Sequence, residues 1–235
     1  MKIVLTPDWF LGTDVVIEVI SFLVLVLFFL LARKNYKLTG NKNSKYLGIG
    51  FLLIAIAEIA TILTKFVLYY DTTLTQSIGC MAISYNIVKS VDIFYYTGFF
   101  LHKFLTLLGL YVIYKIPHNK EISGDMFLVA CFFLISAVLS STSYYVFHIL
   151  ALILLVMIID NYLDVYKKNK SQNTKILIAA FIILGLSQVI FILSAMPALY
   201  AIAQILQLVS YLILLSLIIR ILQYGKKKKQ VRNNI

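Results

Sequence analysis

Five ionisable residues stand where water is scarce. Glu18, Glu58, Lys65, Asp92 and Lys103 all interrupt runs otherwise built from Leu, Ile, Val, Phe and Ala that are long enough to sit in a bilayer. A charge at the centre of a transmembrane helix costs about 2.5 to 3.5 kcal/mol on insertion scales, so each of these groups asks for a partner. Glu58 and Lys65 are seven residues apart and share a helical face, as Asp92 and Lys103 nearly do at a spacing of eleven. If their two helices run antiparallel, the register that sets Glu58 beside Lys103 also brings Lys65 toward Asp92. Glu18 then joins the outer rung through Lys65 or Lys89. Such rungs are either clamps that fix helix register or a proton or ion relay or charged-ligand site, the default role of intramembrane ionisable groups. Lys65 has the further option of snorkelling to the interface.

A second polar pattern lies near the end of the chain. Tyr200, Gln204, Gln207 and Tyr211 recur at i, i+4, i+7 and i+11 and draw one stripe on an apolar helix, while Ser187 and Gln188 mark the helix before it. Amide and hydroxyl groups of this kind either join transmembrane helices through hydrogen bonds or line a cavity that meets the charges above, which would make a ligand pocket. His102 and His148 fall at different depths and do not form the matched set that a haem needs. Neither His-x-x-x-His nor Cys-x-x-Cys occurs, so no metal or cofactor is expected. Asp160 and Asp164 are balanced by Lys167 and Lys168 at a solvated helix end. With no Gly-x-Ser-x-Gly elbow and no phosphate loop, nothing supports an enzyme or catalytic residues.

The elements that must position these groups follow from composition. The chain is 61% hydrophobic and 13% charged, against roughly 25% charged in a soluble domain. Seven apolar runs can be marked, at 15–32, 46–70, 91–116, 126–142, 144–163, 176–195 and 198–222. Most approach the roughly 20 residues that cross a hydrocarbon core as a helix. The fourth is short, but fusing it to the fifth would give a helix far too long for one crossing. Ser140 to Ser143 therefore reads as a tight hairpin, and Pro197 as the first residue of the last helix. The segment from Asp71 to Ser90 is the longest external stretch and a candidate lid with a short interfacial helix.

Lysine and arginine set the orientation, because positive charge stays on the cytoplasmic side. They gather between runs one and two (Arg33 to Lys45), three and four (Lys115, Lys120) and five and six (Lys167 to Lys175), and after run seven. Only Lys2 and Lys89 fall opposite. The expected fold is an all-α seven-transmembrane helix bundle over residues 1–225, with the N-terminus outside, followed by a basic cytoplasmic tail at 226–235. That orientation sets Cys80 outside and Cys131 within a helix toward the inner side, so they form no disulfide. No apolar run closing on a small-residue cleavage site precedes the first span, which is expected to direct insertion itself. The net charge of +11 sits at the ends of apolar runs rather than interleaved with aromatics, which argues against nucleic acid.

Seven helices with the N-terminus outside is also the arrangement of rhodopsins and receptor-type proteins. Run seven lacks the lysine that microbial rhodopsins use to hold retinal, and run three ends in Leu110-Tyr111-Val112-Ile113-Tyr114 without the receptor Asp-Arg-Tyr. The stretches Trp9-Phe10-Leu11-Gly12-Thr13-Asp14 and Tyr36-Lys37-Leu38-Thr39-Gly40-Asn41-Lys42 resemble uncharacterised seven-span proteins of small archaeal genomes. That likeness covers the first two spans and implies no activity. The expectation is a membrane protein that binds a small ligand and signals through a partner, with Glu18, Glu58, Lys65, Asp92, Lys103, Gln188, Gln204, Gln207 and Tyr211 lining the ligand or ion path. Lys226, Lys227, Lys228 and Lys229 would dock that partner or anionic lipid. A proton- or ion-coupled transporter and a membrane scaffold are the alternatives.

Overall fold

A computed structural model describes residues 8–10, 12–78, 81–116, 123–140, 143–193 and 197–233; the side chains of 8, 68–78, 81–94, 123–126, 197 and 224–233 lie outside the description. Asp92, Lys89 and Lys226 to Lys229, named above, are among these side chains. Residues 79–80, and with them Cys80, are outside it altogether. After a 3-10 turn at Asp8–Phe10 the described chain is helical throughout: α1 Thr13–Thr39, α2 Lys42–Ile78, α3 Met81–Lys115, α4 Ser123–Leu139, α5 Tyr145–Asn169, α6 Gln172–Ile192 and α7 Pro197–Asn233. No strand occurs among the described residues. Six of the helices are long and apolar enough to cross a membrane, and α4 is a shorter apolar helix.

The helices outrun the apolar runs. Arg33 to Thr39 continue α1 until Gly40, whose positive φ of 69° lets its amide return to the Tyr36 carbonyl at 2.8 Å and close the helix. Asn41 then caps α2 through its side-chain oxygen, 3.0 Å from the amide of Asn43. Lys170 closes α5 in the same left-handed way, with φ 45°. Hydrophobicity marks where hydrocarbon ends, whereas a helix ends at its caps. For the same reason the Asp71 to Ser90 stretch is not a loop with a separate helix: its described backbone prolongs α2 and α3.

Neighbour pairs show the directions. Phe28 meets Phe51 (α1, α2), Gly50 meets Gly109 (α2, α3), Tyr111 meets Phe133 (α3, α4), His148 meets Gln188 (α5, α6) and Ser210 meets Ala180 (α7, α6), each with opposed running numbers. His102 meets Phe147 and Asn161 meets Tyr114, so α5 runs parallel to α3. That parallelism requires α4 to carry the chain back, and Lys103 lies against its last turn at Ser140. The helices α1, α2, α3, α5, α6 and α7 close a ring, with α7 against α1, and α4 packs outside on α3 with slight contact to α5.

One half of the ring is filled by Leu25, Phe28, Phe51, Ile54, Leu107, Ile113 and Leu214, all fully buried. Small residues seat its tightest pair. A Cβ on Gly109 would lie 2.7 Å from the Gly50 carbonyl oxygen, and one on Gly98 would overlap the Thr64 hydroxyl. Without a hydrophobic drive between helices in lipid, such close backbone approach is what dispersion needs. Gly109→Ala is therefore expected to destabilise the protein in detergent by about 1 to 3 kcal/mol through overpacking. Gly185→Ala, whose added methyl meets only Leu152 at 3.8 Å, is expected to be near neutral in the same thermal-denaturation assay.

Candidate functional site

In the half of the ring that holds the start of α1, the buried surface turns polar. Asp14 sits in the first turn of α1 and is wholly buried. Its Oδ1 accepts from the amides of Gly12 (3.1 Å) and Val15 (2.9 Å), which fixes the carboxyl at the helix start. Glu18 follows one turn later on the same face. Both carboxyls meet Lys65 from α2, whose ammonium is 2.7 Å from Asp14 Oδ2 and 2.5 Å from Glu18 Oε1. A third bond from the ammonium reaches the Tyr200 hydroxyl of α7 at 3.2 Å, and the Tyr200 ring lies 5.7 Å away. One lysine thereby ties three helices together, with only 4% of its surface exposed.

The chain of polar groups continues inward along α7. Gln204 donates to the Tyr200 hydroxyl at 3.0 Å. One turn deeper, Gln207 donates to Glu58 Oε1 at 3.2 Å and to the Tyr211 hydroxyl at 3.1 Å. Glu58 lies about 10 Å below Lys65 along α2, is 3% exposed, and forms no ion pair among the described residues. The second oxygen of Glu18, Oε2, is also buried without a hydrogen-bond partner among them. Beyond Tyr211, α7 presents Leu214, Leu217 and Ile218 to the apolar half, so the polar path stops inside the bundle.

The register anticipated from sequence holds while the facing does not. Gly50 opposite Gly109 and Ala57 opposite His102 set Glu58 and Lys103 at the same level of α2 and α3. The two side chains diverge around their helices, however, Glu58 toward α7 and Lys103 toward α4, where it donates to the Ser140 carbonyl at 2.9 Å. The Glu58–Lys103 rung is thus absent. Lys65 is claimed by α1, and its proposed partner Asp92 lies outside the described side chains. Of the residues singled out above, Glu18, Glu58, Lys65, Gln204, Gln207 and Tyr211 come together. Gln188 stands apart: its Oε1 accepts from His148 Nδ1 at 2.8 Å, where the imidazole stacks on Phe191 at 4.8 Å. Phe191 in turn contacts Tyr200 at 5.7 Å, so aromatic packing links the histidine to the cluster.

Asp14 escaped the sequence reading because it precedes the first apolar run. The spacing of four from Glu18 was the available signal, since two carboxyls one turn apart demand a shared cation. No group of three His, Cys, Asp or Glu residues able to hold a metal is present among the described residues. Comparison with known proteins finds no matching family model, no matching curated protein and no matching solved structure. Replacing Lys65 by Met strands two buried carboxyls, and removing one partner of a buried ion pair costs about 3 to 5 kcal/mol. Lys65→Met is expected to lower the thermal midpoint markedly, and adding Asp14→Asn and Glu18→Gln is expected to restore much of the loss. A fully additive triple variant would mean that the three groups do not interact.

Proposed function

We propose that this protein crosses the membrane seven times, N-terminus outside, and acts as a sensor that binds a small cation or a proton in the polar half of its interior. Alternating helix directions and the return of the chain through α4 support the count, and the basic turns at one end support the orientation. The observation that carries the binding reading is the pair of buried carboxyls at Glu18 and Glu58, of which Glu18 Oε2 has no hydrogen-bond partner and Glu58 no ion pair among the described residues. Among the described residues Glu58 is hydrogen-bonded by the neutral Gln207, and Glu18 Oε2 has no hydrogen-bond partner, in surroundings where an uncompensated carboxylate is costly. A proton or a small monovalent cation is the chemistry that compensates them.

The dead end at Tyr211 favours sensing over permeation. A through-path would need polar groups beside Phe28, Phe51 and Leu107, and that half is closed by aliphatic and aromatic packing. Lys65 links α1, α2 and α7 in one joint, so a cation competing for Glu18 shifts the three helices relative to one another and alters their basic ends, where a partner or anionic lipid docks. The carboxyls spaced along the path also suit a proton- or ion-coupled transporter caught with one side shut, and this is the second reading.

Reconstitution separates them. The sensor reading predicts no proton or cation flux in proteoliposomes, together with thermal stabilisation of the detergent-purified protein by acidification or by one of a panel of Na⁺, K⁺ and methylammonium. The stabilisation disappears in Glu58→Gln. A flux lost in Glu58→Gln would establish the transporter instead. Indifference of the wild type to every cation and to pH would defeat both. A cysteine at Lys170 labelled by membrane-impermeant maleimide in intact cells would reverse the orientation.

A further inference from the structure

The reassignment of Glu58 to α7 leaves Lys103 as a cation in an apolar helix without its expected counter-charge. The ammonium of Lys103 has three N–H groups, and the bond formed with described residues goes to the carbonyl of Ser140, just past the last helical residue of α4. No carboxylate pairs with it among the described residues. Asp92, on its own helix, is eleven residues away, about 16 Å along the axis and beyond reach.

One turn on from Lys103, Thr106 has a buried hydroxyl without a partner among the described residues. This is unusual here, because Thr61 and Thr64 of α2 both return their hydroxyls to the carbonyl four residues back, at 3.4 and 2.7 Å. At a spacing of three, Thr106 and Lys103 share a face. The direction of Thr106 falls between that of His102, which packs on Phe147 of α5, and that of Lys103, which reaches α4. Ammonium and hydroxyl therefore lie together on the side of α3 that faces the junction with α4 and α5, the hydroxyl buried there. At that junction α4 barely touches α5, and the outer face of α4 exposes Phe132, Ile135 and Leu139.

A cation and a hydroxyl with no partner among the described residues, set beside a loosely joined apolar helix pair, form the complement of an anionic amphiphile. We propose that the α3–α4–α5 junction binds an anionic membrane lipid, its phosphate oxygens accepting from Lys103 Nζ and Thr106 Oγ1 and an acyl chain lying along α4. A charge-assisted bond to phosphate in a water-poor setting is stronger than a neutral one, which distinguishes such a site from ordinary lipid contact. The proposal needs only that these helices cross a bilayer and does not depend on the cation reading of the Glu58 path.

The full-length protein, purified in neutral detergent, is titrated with short-chain phosphatidylglycerol, with the matching phosphatidylcholine and with inorganic phosphate. Thermal midpoints and native mass spectra are read at each step. Phosphatidylglycerol is expected to raise the midpoint and to be retained in the gas phase, at concentrations where the other two do neither. Lys103→Met is expected to weaken that response about tenfold, Thr106→Val to weaken it less, and Lys103→Arg to keep it, all with an unchanged response to phosphatidylcholine. Equal stabilisation by the zwitterionic lipid, equal stabilisation by inorganic phosphate, or an undiminished phosphatidylglycerol response in Lys103→Met would each overturn the proposal. Should Lys103→Met fail to fold, the contrast between Thr106→Val and Lys103→Arg decides the matter.

Discussion

The arrangement of this bundle depends on one ammonium group held away from water. Lys65 cannot remain charged in an apolar interior unless oppositely charged oxygens surround it, and Asp14 and Glu18 reach it only if α1 lies against α2 with its first turn level with that lysine. The Tyr200 hydroxyl adds a condition on α7. Apolar packing alone would tolerate sliding of these helices by a residue or more, because Leu, Ile and Val surfaces in lipid are nearly interchangeable. A charge with three partners tolerates none. The ion cluster thus specifies how the helices meet, whether or not it adds to net stability.

From this constraint follows the division of the interior. Where α1, α2 and α7 converge on Lys65, the residues on the next inward turns follow with hydrogen bonds of their own, Gln204 to Tyr200 and Gln207 to Glu58 and Tyr211. The opposite half is filled mainly by the Phe28–Phe51 pair and its aliphatic neighbours, with glycines allowing α2 and α3 to touch. One half holds electrostatically responsive groups and the other is a close-packed plug. A change of charge at Glu18 or Glu58 has a rigid body to act on, which is the physical requirement for passing a local event to the far ends of the helices.

Much of this was legible in the residues. Apolar run lengths gave the helices, Pro197 opens α7 where its missing N–H does no harm, and the relative level of Glu58 and Lys103 follows from antiparallel packing. The polar stripe of α7 meets Glu58 as its period suggests. What could not be read was azimuth. A sequence fixes which residues share a face of one helix, yet which neighbour that face meets depends on how six helices close into a ring with the seventh packed outside it. Glu58 and Lys103 are level, and α7 and α4 separate them. The helix ends were also hidden, since Arg33 to Thr39 are polar and still helical until Gly40 stops them.

Solid-state NMR in lipid bilayers can test the Lys65 contact directly. With lysine side-chain nitrogens labelled ¹⁵N and carboxyl carbons of Asp and Glu labelled ¹³C, the Lys65 ammonium, assigned by its loss in Lys65→Met, should show strong dipolar couplings to two carboxyl carbons. These should vanish singly in Asp14→Asn and Glu18→Gln. A Lys65 nitrogen coupled to neither carboxyl, or to one that survives both substitutions, would contradict the convergence of α1, α2 and α7 on this residue and the polar interior built on it.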